Sequence, residues 1–114
     1  MTGHQILQEI DSSRKSLTIG IQELKTLAIK KAEAESKYKI ELRKQLLFLR
    51  SQGHGINMCI DLAKGHETVS NYKLEYDIAE SSYFIALEHI KSIRQDLEVL
   101  KSLLSMEKFL TKED

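Results

Sequence analysis

A seven-residue repeat of apolar side chains runs through the second half of this 114-residue chain. Counted from Val69, its a and d positions are Val69, Tyr72, Tyr76, Ala79, Tyr83, Ala86, Ile90, Ile93, Leu97, Leu100, Leu104 and Glu107. Eleven of these twelve are apolar or aromatic. A repeat held that long puts one continuous stripe on one side of a helix and predicts left-handed, coiled-coil-like packing along it. Strands alternate with period two and cannot carry this pattern. Thr68 is the expected N-cap.

Proline is absent, and three of the five glycines, Gly53, Gly55 and Gly65, fall in the middle of the chain. Both flanking stretches are rich in Leu, Ile, Ala, Glu, Lys and Gln, which favour helix. The best stripe of the first stretch is Leu17, Ile21, Leu24, Ala28, Lys31, Glu35, Tyr38, Leu42, Gln45 and Leu49. Seven of its ten positions are apolar, with faults at Lys31, Glu35 and Gln45. Ile6 and Ile10 extend the stripe toward the N-terminus. Asp11, Ser12 and Ser13 offer an alternative cap that leaves residues 1–12 loosely attached. Gly20 is the expected site of a bend.

Between the two stretches lies a connector, residues 51–66. Gly53 and Gly55 permit the left-handed backbone that ends a helix. Ile56, Met58, Cys59, Ile60, Leu62 and Ala63 then predict a short apolar helix that Gly65 ends, folded as a cap over Leu46-Leu47-Phe48-Leu49. The fold class expected is all-α, one domain over 1–114. A long antiparallel hairpin, about 14–50 against 67–109, is closed by a short helix near 56–64.

One hairpin buries one stripe per helix, and this chain has more apolar residues than that. Leu74, Ile78, Phe84 and Ile85 lie off the repeat, as do Ile19, Leu27, Ile29 and Ile40 in the first stretch. Apolar residues on two faces call for cover on two faces. Assembly into an oligomeric helical bundle, a homodimer or larger, supplies it. The residues assigned to core and assembly are Tyr72, Tyr76, Tyr83, Ile90, Ile93, Leu97, Leu100 and Leu104. Exposure of scattered apolar residues is the alternative.

Seventeen basic and seventeen acidic residues balance, yet the charge is segregated. Residues 25–50 hold eight bases and three acids, a net of +5. Residues 61–114 hold seven bases and eleven acids, a net of −4. Internal pairing between antiparallel helices accounts for this, with Asp61, Glu67 and Glu75 as the nearest acids. The alternative is an anion-binding surface of Arg43, Lys44, Arg50, Lys64 and His66 around glycines that expose backbone N–H groups. That surface would take a host protein or a phosphate-bearing small ligand. The tyrosines of the stripe face Lys31, Glu35 and Gln45, which reads as a partly polar seam that fixes register, or as a groove for a ligand.

No catalytic motif is present, and the protein is expected not to be an enzyme. One cysteine excludes an intrachain disulfide, and Cys59 lies in an apolar run, as a buried structural thiol does. The spacing of His54, Cys59, Asp61 and His66 is not a zinc signature, so neither metal nor other cofactor is expected. No run is long enough to span a membrane. Met1-Thr2-Gly3-His4-Gln5 lacks the features of a secretion signal, and a cytoplasmic location follows as the expectation.

From about Ala34 to Leu104 the chain resembles small helical proteins encoded by temperate phages and prophages of Gram-positive bacteria. The residues that carry this are Leu42-Arg43-Lys44, Leu49-Arg50 followed by Gly53, Asp61-Leu62-Ala63-Lys64-Gly65, Asp77-Ile78-Ala79-Glu80, Tyr83, Ala86, Glu88 and Ile90. Ile56-Asn57-Met58-Cys59 departs from the pattern, where more β-branched residues are expected. The resemblance implies a phage setting, in the host cytoplasm, and no particular activity. The function expected is host takeover or counter-defence, by inhibiting a host protein or sequestering a nucleotide signal. An accessory role in phage DNA replication or recombination, with residues 25–50 on nucleic acid, is the first alternative, and zero net charge weighs against it. A structural coiled-coil component of the virion is the second.

Overall fold

The computed structural model describes residues 1–113, and among them it is all-helical: α1 spans Gly3–Ser51, α2 spans Ile56–Gly65 and α3 spans Glu67–Glu113. The chain divides into two compact units, Met1–Lys25 with the chain from Phe84 on, and Thr26–Tyr83.

α1 starts eleven residues before the expected 14, at Gly3, so residues 3–12 are helical. Two causes are visible. The Thr2 hydroxyl accepts the Gln5 N–H at 3.2 Å, while the Gln5 side-chain oxygen accepts the Thr2 N–H at 2.9 Å. This reciprocal capping box satisfies donors that the first turn leaves open. Ile6 and Ile10 are also buried, in one cluster with Ile93 and Leu97 of α3, and Leu17, Leu100 and Leu104 pack against it. Asp11 instead pairs with Lys15 in mid-helix.

Gly20 neither interrupts nor ends α1. It is buried, and a Cβ placed on it would stand 3.4 Å from Cγ1 of Ile90. That is ordinary van der Waals contact, so Ile90, itself 2 % exposed, packs against α1 at Gly20 with room for a methyl group there. Gly3 lies opposite Glu107 in the same way. From 3 to 20 and from 107 to 90 are seventeen residues each, so within this unit the two segments run antiparallel in constant register.

In the other unit, Gly53 ends α1 with φ of 93°. The N–H of His54 donates to the Leu49 carbonyl at 3.3 Å and that of Gly53 to Arg50 at 3.0 Å, a Schellman closure. Gly55 is extended rather than left-handed and serves as N-cap of α2, its carbonyl accepting the Cys59 N–H. His66 alone joins α2 to α3, extended, and its carbonyl accepts the Ser70 N–H at 2.8 Å. Thr68 therefore lies inside α3 and does not cap it. Cys59 and Ala63, one turn apart, point inward and are buried, as is Val69. The flanks of α2 do not follow: Ile56, Met58, Ile60 and Leu62 are exposed. Of the run Leu46-Leu47-Phe48-Leu49, only Leu46 and Leu49 are partly covered.

All twelve a and d positions of α3 are buried or half-buried, and all ten expected stripe positions of α1 are half-buried. Removing a buried seam side chain leaves a cavity, so Ile90→Ala is expected to cost ~2–5 kcal/mol in urea unfolding. Thr2→Ala, which removes half of the capping box, is expected to cost ~1 kcal/mol. An Ile90→Ala protein as stable as the parent would contradict the seam.

Candidate functional site

The three polar interruptions of the α1 stripe fall in the unit Thr26–Tyr83, where α3 supplies its tyrosines. Tyr38 stacks on Tyr76 with ring centroids 6.2 Å apart. Lys31 lies over the Tyr83 ring at 5.6 Å. From 31 to 38 and from 83 to 76 are seven residues each, so the contacts recur one heptad apart, antiparallel. Lys73 sits over both Tyr38 and Tyr76, at 5.4 and 5.2 Å. Its ammonium also donates to Asp77 at 2.9 Å, and that bond raises its pKa.

Tyr76 is the centre of this cluster. Its hydroxyl donates to a Glu80 carboxylate oxygen at 2.8 Å, and Glu35 faces it from α1. The bond to Glu80, then desolvation and the Glu35 charge, push its pKa up to about 12. Glu35 is held below the usual carboxylate range, first by the hydrogen bond and charge of Lys39 at 2.6 Å, then by Lys31 and Tyr76. Gln45 donates within its own helix to Glu41 at 3.4 Å and reaches no tyrosine. No buried side-chain nitrogen or oxygen among the described residues lacks a partner. Such a cluster is filled by its own members, and it sets which residue faces which.

The five expected anion-binding residues do not share one place. Arg43 and Lys44 lie together on an open face of α1, in a shallow groove with Ser36, Lys39, Ile40 and Leu47. Arg50 is engaged in the chain reversal, its guanidinium donating to the His54 carbonyl at 3.0 Å. The Cys59 thiol donates to that same carbonyl at 3.5 Å, so Arg50 helps to hold the α1–α2 turn. Lys64 is exposed in the last turn of α2, where a cation complements the helix dipole. His66 is the exposed linker residue, its N–H bonded to Ala63.

Charge segregation is not answered by ion pairs between helices. The described residues form five ion pairs, each between residues three or four apart in one helix. Arg43, Lys44 and Lys64 take part in none, nor do the acids Asp61, Glu67 and Glu75. Apolar side chains stand beside these charges: Ile40 and Leu47 are more than half exposed on α1, as are Leu74 and Ile78 on α3.

The residues assigned to both core and assembly prove to be covered within the chain: Ile90, Ile93 and Leu97 are buried, and the three tyrosines, Leu100 and Leu104 half-buried. An acidic substitution at Ile93 or Leu97 thus reports on folding. Among the described residues no three His, Cys, Asp or Glu side chains converge as metal ligands, and no helix is long and apolar enough to cross a membrane. Cys59 is buried, its thiol turned to a backbone carbonyl.

The folded chain holds the Tyr76 proton more tightly than an unfolded one, whose tyrosines titrate near 10. Stability is then fully present below pH 10 and is lost as the pH rises toward 12. Thermal melts across that window should fall more steeply for the parent than for Tyr76→Phe. Parallel curves would remove the Tyr76–Glu80 bond from the description.

Compared with family models, with characterised proteins and with solved structures, the chain matches none.

Proposed function

We propose that this protein is a non-enzymatic helical binding protein that assembles with copies of itself. In this reading α1 and α3 form a long antiparallel hairpin, α2 caps it, and hairpins join into an oligomeric bundle. One observation supports it above the rest. α1 and α3 satisfy their seam within the chain and still expose Ile29, Ile40, Leu47, Leu74 and Ile78 on other faces. Helices with two apolar faces are built for two sets of neighbours.

The phage setting implied by the resemblance gives such an assembly a role in host takeover or counter-defence, with a host protein or a nucleotide signal as its target. A second reading takes nucleic acid as the ligand and rests on Arg43 and Lys44, which no acid answers. Contacts to phosphate weaken steeply with salt. Binding of duplex DNA or a nucleotide that vanishes in Arg43→Ala with Lys44→Ala, and falls with added salt, would favour it.

Light scattering on the purified chain tests the assembly. The expected mass is a multiple of 13.1 kDa at micromolar concentration, and a monomer would contradict the reading.

A further inference from the structure

In the unit Thr26–Tyr83 the segments of α1 and α3 each carry a second stripe opposite the shared seam. On α1 it is Ile29, Glu33, Ser36, Ile40, Arg43 and Leu47, spaced four, three, four, three and four residues apart, and all six are exposed. On α3 it is Glu67, Asn71, Leu74, Ile78 and Ser81, at the same kind of spacing and also exposed. Each stripe mixes aliphatic side chains with short polar ones and with charged ones, Glu33 and Arg43 on α1 and Glu67 on α3.

Their borders differ in sign. Residues 26–51 hold seven bases and three acids, a net of +4, while 67–83 hold one base and four acids, a net of −3. Among the described residues, Lys30, Lys37 and Lys44 beside the α1 stripe form no ion pair, and neither does Glu75 beside the α3 stripe.

We infer that copies of this chain pack side by side, the outer face of α1 in one copy against the outer face of α3 in the next; this rests on the assembly reading above. The second copy is the occupant because it brings the missing complement in both respects, an aliphatic stripe of matching period and charges of opposite sign. Pairing α1 with α1 would set cations against cations, and α3 with α3 acids against acids, which opposes both like-with-like arrangements. Since the two faces are different surfaces, the contact is heterologous. Repeated contacts of that kind close into a ring or continue as a filament.

Blocking one face at a time tests this on the full chain. One variant carries Ile40→Asp with Leu47→Asp, the other Leu74→Asp with Ile78→Asp. All four positions are exposed, so helical content and melting temperature should stay near those of the parent. By sedimentation velocity each variant alone should fall from the parent's assembly to 13.1 kDa. Mixed in equal amounts, the two should form a one-to-one heterodimer through the single intact pair of faces. Should either variant not fold, Arg43→Glu with Lys44→Glu and Glu67→Lys with Glu75→Lys replace them. Each of these should be weakened alone and restored by mixing. A parent that assembles while both variants still assemble, or a mixture that stays monomeric, overturns the α1-to-α3 contact and leaves self-association standing. A monomeric parent overturns both.

Discussion

Within each unit, the seam of α3 a and d positions facing α1 is the constraint on which the rest depends. An isolated helix gains little from propensity alone, and most of its stability comes from burying an apolar face. Without proline, and with its glycines gathered at the chain reversal, the sequence commits both long segments to helix and leaves the seam to hold them. The seam in turn decides which faces remain outside. Ile40 and Leu47 on α1 and Ile78 on α3 are exposed because Tyr38, Tyr76 and their neighbours already occupy the inside.

The two units solve the seam differently. Around Ile6, Ile10, Ile93 and Leu97 it is aliphatic, and Ile90 packs against α1 at Gly20. Around Tyr38 and Tyr76 it is polar, with lysines over rings and a hydroxyl between two carboxylates. A run of leucines tolerates slippage by a heptad because every heptad looks alike. Slipping the polar segment would take Lys31 off Tyr83 and Tyr38 off Tyr76. Polar groups at seam positions specify register in this way, at some loss of stability.

Much of this is legible in the sequence, and the gaps have physical causes. Every a and d position of α3 reads correctly because a period of seven is an average over eleven apolar or aromatic side chains. The start of α1 reads less well: Asp11-Ser12-Ser13 resembles a cap, whereas the cap in use, Thr2-Gly3-His4-Gln5, carries the spacing of a capping box nine residues earlier. Gly20 reads as a weak point from propensity alone, since the approach of Ile90 is a tertiary fact. Four adjacent apolar residues, Leu46 to Leu49, cannot all face one way on a helix that turns 100° per residue. Leu47 and Phe48 accordingly point outward. Of the basic group, Arg43 and Lys44 line one groove although neighbouring positions lie about 100° apart on a helix, while the bond from Arg50 to the His54 carbonyl depends on a turn geometry that residue types do not encode.

The unanswered charges and the outer stripes together underlie the proposal that another copy of the chain covers these faces. Zero-length carbodiimide cross-linking, which joins an amine to a carboxylate in direct contact, reads this most directly. It is applied to a mixture of ordinary and heavy-isotope-labelled protein, so that links between copies are told from links within one. The expected result is a set of inter-copy links from Lys37 or Lys44 to Glu67 or Glu75. Links confined to single copies, or inter-copy links that leave these residues out, would contradict it.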